Sequence, residues 1–203
     1  MRVVIIDYGM GNIKSISSTL KYLGVTDVAI SADASIIKST DKIILPGVGS
    51  FGSAMQNIRK LSLNEILHQA VTIQKIPILG ICLGMQLMCT DSTEEGYNPG
   101  LGFVRGNVRR FKTTTYKIPH VGFNQVFYQK KMRLYKDIDN GSDFYFTHSY
   151  RMSTESDLNR ATCDYSESFI ASYELDNIAG VQFHPELSQK NGLTLLKNFL
   201  EQF

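Results

Sequence analysis

The first half of the chain alternates short, β-branched apolar runs with stretches in which apolar residues recur at helical spacing. The apolar runs predict strands at residues 3–6, 28–30, 42–45 and 76–81, and the periodic stretches predict helices at residues 13–23, 62–74 and 83–89. Ser62 and Glu65 have the spacing of a capping box at the start of the second helix. A regular alternation of strands and helices predicts a parallel sheet with right-handed crossovers.

After Asp91 the pattern changes to short segments rich in aromatic and β-branched residues, separated by polar turns. These segments predict strands near residues 103–111, 121–128, 144–150, 169–173 and 180–183, and a helix only at residues 193–203. Strands that follow one another without helices favour antiparallel hairpins. We therefore expect one α/β domain spanning residues 1–203, with a mostly parallel central sheet flanked by helices and antiparallel strands added in the second half.

Composition excludes several classes of function. The chain has 203 residues, 21 Lys plus Arg against 19 Asp plus Glu, and a net charge of +2, which gives no support to a nucleic-acid partner. No apolar run approaches the roughly 18 residues of a membrane span, and the first residues lack the apolar core of a signal peptide. We expect a cytoplasmic protein without membrane contact, whose three cysteines stay reduced.

Glycines cluster after three of the predicted strands, and the first cluster, Gly9 and Gly11, lacks the third glycine of a dinucleotide-binding loop. The segment from Gly47 through Gly49 to Gly52 matches the spacing of a dinucleotide-binding loop, which keeps a nicotinamide- or flavin-dependent oxidoreductase open as an alternative. That loop normally follows the first strand, whereas this segment follows a later one. Glu65, at the distance where a ribose-binding carboxylate is expected, also lies in a predicted helix. We therefore regard a role in oxidoreduction as the weaker interpretation.

The cluster around Cys82 carries more chemistry. Gly80 and Gly84 flank Cys82 symmetrically where a buried strand is predicted to turn into a helix, which is the pattern of a nucleophile elbow with Cys in place of Ser. Such a turn is so sharp that its flanking residues need to lack a Cβ atom. A cysteine at a helix N-terminus is also favoured as the thiolate, its nucleophilic form. We interpret Cys82 as a nucleophile, and Cys89 and Cys163 as buried structural residues.

A nucleophilic cysteine requires a base, and His184 is the best candidate among four histidines. His184 ends a predicted strand, and Glu186 follows two residues later, so in extended backbone both side chains point the same way and the carboxylate can orient the ring. His68 is predicted to be a surface residue, and His120 and His148 to be structural. No second His or Cys has the spacing of a zinc site, so we expect no metal.

The segments 77–86 and 180–186, which contain Cys82, His184 and Glu186, resemble the two motifs of the class I (triad) glutamine amidotransferases. Within that family, residues 7–12, 45–52, 118–124 and 146–150 are similar to the glutaminase subunits of imidazole glycerol phosphate synthases, from histidine biosynthesis. The resemblance extends from the first strand to the last helix. It implies no cofactor.

The resemblance implies specific roles for residues of the glutaminase site. Cys82 attacks the amide carbon of glutamine, His184 transfers the proton to the departing ammonia, and Glu186 holds His184. Water then hydrolyses the glutamyl thioester to glutamate. The oxyanion is met by backbone N–H groups of Leu83 and of the loop Gly47-Val48-Gly49. The residues expected near the amino-acid end of the substrate are Gln86, Glu95, His148, Ser149 and Tyr150.

The resemblance also implies a partner, a (β/α)₈-barrel cyclase subunit that forms a heterodimer with the chain and receives its ammonia. Asn12, His120 and Asn124 are expected at that interface. The sequence departs from the family there, with Leu187 in place of Lys and with Val121 and Phe123 in place of Met and Trp. Losing a lysine removes a charge that could pair across the interface. A paralogue that supplies ammonia for sugar amidation in surface-polysaccharide synthesis is therefore the alternative.

Overall fold

The computed structural model describes residues 1–129 and 131–203, and its first half is the predicted strand–helix alternation. The elements in chain order are β1 (Arg2–Ile6), α1 (Ile13–Tyr22), β2 (Asp27–Ser31), α2 (Ala34–Lys38), β3 (Lys42–Leu45), α3 (Phe51–Lys60), α4 (Leu63–His68) with a π-helical turn (Gln69–Ile73), β4 (Ile78–Ile81) and α5 (Leu83–Leu87). Strands β1 to β4 pair in parallel, in the order β2-β1-β3-β4.

The second half extends the same sheet through β13, which is parallel to β4, and then through antiparallel strands. Its elements are β5 (Asp91–Ser92), β6 (Asn98–Pro99), β7 (Asn107–Arg110), β8 (His120–Tyr128), β9 (Ser142–His148), β10 (Tyr150–Ser153), β11 (Asn159–Asp164), β12 (Ser168–Leu175), β13 (Ile178–Val181), a 3₁₀ turn (Pro185–Leu187) and α6 (Gln189–Gln202). The nine-stranded sheet has the order β2-β1-β3-β4-β13-β12-β11-β8-β9, and a smaller sheet has the order β10-β7-β5-β6. The predicted α/β fold, parallel in its first half and antiparallel in its second, is confirmed.

The parallel strands are apolar at nearly every position because helices cover both faces of the sheet. Along β1, Val3 and Ile5 belong to one core, which also contains residues of α1 and α6. Val4 and Ile6 belong to the other core, which contains residues of α2 to α5. Since successive side chains of a strand point to opposite faces, an uninterrupted apolar run is what a strand covered on both sides requires. Because β3, β4 and β13 are neighbours that pair in parallel, their carboxyl ends lie at the same edge of the sheet.

Several elements differ from the sequence-based expectation. Helices α2 and α3 and strands β5, β6, β10 and β11 were not predicted. The start of α3 lies inside the glycine-rich segment, where glycines lower the helical signal. The predicted capping box does not form, because Ser62 has a φ of +55° and its side chain makes no capping hydrogen bond. In the part of the chain that the structure describes, no helix is long and apolar enough to cross a membrane.

Candidate active site

Cys82 lies at the junction of β4 and α5 with a φ of +53°, a conformation that residues with a Cβ atom rarely adopt. The flanking glycines make this turn possible. A Cβ atom on Gly80 would lie 2.7 Å from the carbonyl oxygen of Gly84, and one on Gly84 would collide with the carbonyl oxygen of Leu45. The strand-to-helix turn predicted around Cys82 is therefore present, with its strain held by close backbone packing.

The sulfur of Cys82 has two polar neighbours besides the histidine described next. Sγ lies 3.9 Å from the carbonyl oxygen of Thr147, and Nε2 of Gln182 lies 3.7 Å from Sγ. The backbone N–H of Cys82 donates to the carbonyl oxygen of Val181 at 2.8 Å, which joins the turn to β13. Cys82 is thus fixed between α5 and the ends of β9 and β13.

His184 follows β13 and is paired with Glu186, with Nδ1 of the ring 2.9 Å from Oε1 of the carboxylate. The contact was predicted, but the reason given for it was wrong. Residues Pro185–Leu187 form a 3₁₀ turn rather than extended backbone, and this turn brings the carboxylate back towards the ring. Asn12, at the start of α1, donates from Nδ2 to the same carboxylate oxygen at 3.2 Å. The carboxylate is therefore oriented from two sides.

The surroundings of His184 favour its protonated form. Burial on its own lowers the pKa of this ring, but the neighbouring Cys82 and the hydrogen bond with Glu186 together raise the pKa to about 10. Nε2 of His184 is buried and has no hydrogen-bond partner among the described residues. A charged imidazolium with a free Nε2–H next to a thiol stabilises the thiolate and is a ready proton donor.

The glycine-rich segment forms the loop between β3 and α3 and approaches the elbow closely. Gly49 has a φ of +101°, and a Cβ atom on Gly47 would lie 2.8 Å from both the backbone nitrogen of Gly84 and Cβ of Leu83. Tyr8 donates from its buried hydroxyl to the carbonyl oxygen of Pro46 at 2.7 Å, which holds the start of the loop. The loop therefore faces Cys82, and its glycines allow this approach.

A cavity of about 400 Å³ opens between these elements. It brings together predicted residues from the elbow, the glycine-rich loop, β9 and the His184 turn, and its lining consists of Val48, Gly49, Cys82, Leu83, Gln86, Glu94, Pro119, Thr147, His148, Ser149, Tyr150 and His184. Glu95 is exposed and is not part of this lining, whereas Glu94 is. The carboxylate of Glu94 also accepts a hydrogen bond at 2.8 Å from the backbone N–H of Phe51, the first residue of α3.

His148 and His120 form a second histidine pair beside the cavity, with Nδ1 of His120 3.1 Å from Nε2 of His148. Nδ1 of His148 lies 2.8 Å from the carbonyl oxygen of Tyr150, and the ring of His120 stacks between Phe146 and Tyr165. Burial lowers the pKa of His120 to about 4 and that of His148 to about 3. Both rings are therefore neutral at pH 7, as expected of structural histidines.

The residues expected at a partner interface lie in different environments. His120 was expected at the partner interface, but it is only 2% exposed. It therefore presents no surface to a partner in this conformation. Asn12 and Asn124 are half-buried, and Asn124 donates to the carbonyl oxygen of Asp164. Leu187 is 43% exposed and is the last residue of the turn that carries Glu186. Asn12, one of the residues expected at the interface, is thus hydrogen-bonded to the Glu186 carboxylate.

Sequence reasoning missed Gln182 and Glu94. Alternation along the strand that leads to His184 would have found Gln182, since residues two apart share a face. Glu94 carried no such signal, because nothing in the sequence distinguishes it from its neighbour Glu95. Within residues 1–129 and 131–203, no group of three His, Cys, Asp or Glu side chains is arranged to hold a metal ion.

Comparison with known proteins agrees with this geometry. The family model "Glutamine amidotransferase class-I" matches residues 4–203. The imidazole glycerol phosphate synthase subunit HisH of Aquifex aeolicus is 44% identical over 98% of this chain and 96% of its own. Subunit HisH 2 of Methanococcus maripaludis is 45% identical over 98% and 99% of the two chains. A crystal structure of a glutamine amidotransferase superimposes with a TM-score of 0.77 at 15% identity, covering 98% of this chain and 97% of that one. The chain belongs to the class I glutamine amidotransferase family.

Proposed function

We propose that this protein is the glutaminase subunit of an imidazole glycerol phosphate synthase, in histidine biosynthesis. It hydrolyses glutamine to glutamate and ammonia and passes the ammonia to a synthase partner. The observation that carries the proposal is the cavity in which the strained Cys82 and the His184–Glu186 pair meet. The HisH relatives, 44% and 45% identical over nearly the whole chain, support the pathway.

The geometry supports a thioester mechanism. The thiolate of Cys82 forms a bond to the amide carbon of glutamine, and the carbonyl oxygen becomes an oxyanion. His184 then gives its Nε2 proton to the amide nitrogen, and the carbon–nitrogen bond breaks to release ammonia. Water, deprotonated by the now neutral His184, hydrolyses the thioester and regenerates the thiolate. Glu186 keeps the ring oriented throughout through its hydrogen bond with Nδ1.

The oxyanion forms next to the glycine-rich loop. The backbone N–H of Leu83 is available there because it is the first N–H of α5 and has no partner within that helix. We assign the second donor to the loop Gly47-Val48-Gly49, whose Gly49 lines the cavity together with Cys82. Two such donors aimed at a developing charge contribute about 10²–10³-fold in rate each.

The amino-acid end of glutamine needs an anion for its ammonium and donors for its carboxylate. We place the ammonium against the carboxylate of Glu94, which takes the role expected of Glu95 because Glu94 lines the cavity. Nε2 of Gln86 donates hydrogen bonds to the carbonyl oxygen of Tyr150 and to Oε1 of Gln182. Oε1 of Gln86 is therefore left to accept a hydrogen bond from the ammonium. The main chain of His148, Ser149 and Tyr150 closes the pocket.

The partner is proposed to be a (β/α)₈-barrel cyclase subunit that forms a heterodimer with a single glutaminase domain, residues 1–203, in the cytoplasm. Asn12, Asn124 and Leu187 remain the residues proposed for the interface. Exposed apolar side chains support the assignment, since Val121 and Phe123 are 57% and 50% exposed on β8. Exposed apolar groups of this size are typical of surfaces that another protein covers.

One observation favours a second candidate function. Leu187 stands exposed where the family usually carries a lysine, so this surface lacks a charge that could pair with a histidine-pathway partner. A glutaminase that supplies ammonia for sugar amidation in surface-polysaccharide synthesis would keep the same catalytic residues and change this surface. The two candidates therefore differ in the partner that stimulates glutamine hydrolysis.

The test is glutamate release from glutamine by this chain mixed with the histidine-pathway cyclase subunit of the same organism, with and without that subunit's ribonucleotide substrate. We expect stimulation by the partner, loss of activity in Cys82→Ala, and a decrease of about 10²–10⁴-fold in His184→Ala. Cys163→Ala, at a buried cysteine outside the cavity, is the matched control.

The outcomes separate chemistry from pathway. Glutamate release that persists in Cys82→Ala would contradict the thioester mechanism. Activity that requires Cys82 but gains nothing from the cyclase subunit would favour the sugar-amidating alternative, and Leu187→Lys would then be tested for restored stimulation. Turnover of esters or peptides in place of glutamine would indicate a stand-alone cysteine hydrolase.

A further inference from the structure

We propose that Gln182 is a further catalytic residue, whose side-chain amide donates a hydrogen bond to the sulfur of Cys82 and stabilises the thiolate before attack. Nε2 of Gln182 lies 3.7 Å from Sγ, within the range of N–H···S hydrogen bonds. The side chain is fully buried, so water does not compete for the amide. The inference rests on the proposed glutaminase chemistry.

Two neighbours determine which end of the Gln182 amide faces the sulfur. The carbonyl oxygen of Tyr150 only accepts hydrogen bonds, so the atom of Gln86 at 2.9 Å from it is the donor Nε2. The same Nε2 lies 2.9 Å from the Gln182 side chain, whose nearby atom is therefore the acceptor Oε1. The opposite end of the Gln182 amide, which faces Sγ, is then necessarily the NH₂ group.

The Gln182 backbone is held as firmly as its side chain. Its N–H donates to the carbonyl oxygen of Ala171 at 2.8 Å, next to the end of β13. The carbonyl oxygen of Tyr150, which orients Gln86, also accepts from His148 at 2.8 Å. A continuous chain of hydrogen bonds, partly buried at Tyr150 and buried from Gln86 onwards, therefore leads from His148 to Gln182 and the sulfur. It fixes the donor without need for rearrangement during the reaction.

Ionisation of the sulfur makes this donor important. As a thiol, Cys82 donates its S–H towards the carbonyl oxygen of Thr147, 3.9 Å away. Once the proton has left, that carbonyl dipole faces a negative charge and opposes it. Gln182 then presents its N–H group to the sulfur at 3.7 Å, so loss of the Gln182 amide removes a contact that stabilises the negative charge.

The first test measures thiol reactivity, which does not depend on glutamine turnover. The full chain is treated with iodoacetamide from pH 5 to 9, and modification of Cys82 is followed by mass spectrometry of its peptide. We expect the pH midpoint of alkylation in Gln182→Met, which keeps the length and loses the donor, to rise by about one pH unit. Gln182→Glu adds a negative charge and is expected to raise the midpoint further. Gln74→Met, at an exposed glutamine remote from the cavity, is the control.

The second test measures glutaminase kinetics of the same variants in the complex with the cyclase subunit. We expect kcat in Gln182→Met to fall about 10-fold while KM changes less than about 2-fold, because glutamine is held by other groups. A change of KM alone with an unchanged alkylation midpoint would assign Gln182 to packing of the pocket and overturn the proposal. If glutaminase activity is absent in the wild type but the alkylation midpoint still shifts, the proposed function fails and the role of Gln182 stands.

A measurement on the wild-type chain covers the case in which Gln182→Met does not fold. The side-chain amide protons of Gln182 are followed by ¹⁵N-resolved NMR while the pH is raised through the alkylation midpoint. We expect one of them to move downfield as its acceptor becomes the thiolate, and to lose this movement in Cys82→Ser. Amide protons that stay in place throughout would overturn the proposal.

Discussion

His184 and His148 are two buried histidines that line the same cavity, yet their protonation is opposite. The pKa of His184 is raised to about 10, and that of His148 is lowered to about 3. Burial lowers the pKa of both rings, so it does not account for the difference. In both rings Nδ1 faces an acceptor that cannot donate, the carboxylate of Glu186 in one case and the carbonyl oxygen of Tyr150 in the other, so both carry their hydrogen on Nδ1.

The difference lies in the charge of the acceptor and in what faces the other nitrogen. Glu186 carries a full negative charge and Cys82 adds another when ionised, whereas the Tyr150 carbonyl is only a dipole. Nε2 of His184 has no hydrogen-bond partner in the described part of the chain, while Nε2 of His148 accepts from His120. The same side chain at the same depth thus becomes a proton donor in one place and a neutral structural element in the other.

Glu186→Gln removes the difference in charge between the two acceptors, because it gives His184 a neutral acceptor like that of His148. We expect the pKa of His184 to fall and the turnover of glutamine to decrease by as much as about 10⁴-fold, as when the carboxylate that orients a triad histidine is replaced by an amide. The measurement is glutamate release in the complex with the cyclase subunit.

Glu201→Gln, at an exposed position of α6, is the matched control for the loss of one carboxylate. An activity of Glu186→Gln equal to that of this control would show that the charge of Glu186 does not determine the state of His184. Asn12 contacts the same carboxylate, so Asn12→Ala is expected to give a smaller decrease in the same direction.

The sequence indicated the chemistry of the two histidines better than their geometry. The flanking glycines identified the Cys82 turn because only residues without a Cβ fit it, and this requirement is local. His184 and Glu186 were paired on the assumption of extended backbone, whereas Pro185 starts a 3₁₀ turn whose closure depends on contacts with β9 and α6. Such contacts are set by the tertiary fold, which spacing along the chain does not reveal.

The same limit explains which elements were predicted. Strands β1, β3 and β4 were recognisable because a strand covered on both faces is apolar throughout. Strand β11, with the sequence Asn159–Asp164, alternates polar and small residues and is stabilised by its neighbours β12 and β8 rather than by its own pattern. His120 was expected at the surface from family resemblance, but β8 turns it into the interior against His148.

Acid is expected to destabilise the fold through its two neutral buried histidines. His120 and His148 have folded-state pKa values of about 4 and about 3, below the usual 6.5, so below pH 6.5 the unfolded chain binds protons that the folded chain does not. The free energy of unfolding therefore falls as the pH drops from 6.5 to 5, by at most about 1.4 kcal/mol per pH unit for each ring. His184, whose pKa is raised to about 10, is protonated in the folded chain throughout this range. In the unfolded chain it is half protonated at pH 6.5 and almost fully protonated at pH 5, so its opposing slope disappears as the pH falls.

Urea unfolding at pH 7.0, 6.0, 5.5 and 5.0 measures this slope in a pH range that lies above the pKa values of most carboxylates. His68→Gln, at an exposed histidine, is expected to leave the slope unchanged. A free energy of unfolding that stays constant over this range would mean that the His120–His148 pair accepts a proton in the folded state.

The smallest expected effect is that of His120→Phe at pH 7. Phe keeps the stacking between Phe146 and Tyr165, at centroid distances of 4.9 and 4.0 Å, and removes only the hydrogen bond to Nε2 of His148. One buried acceptor left without its donor costs about 1–2 kcal/mol in the free energy of unfolding, measured by urea denaturation against Val121→Ala on the same strand. The variant also removes one ring that titrates, so its acid slope is expected to be shallower than that of the wild type. A slope that falls to nearly zero would mean that His148, freed from His120, also takes up its proton in the folded chain, and would make the hydrogen bond rather than burial the main reason that this ring is neutral.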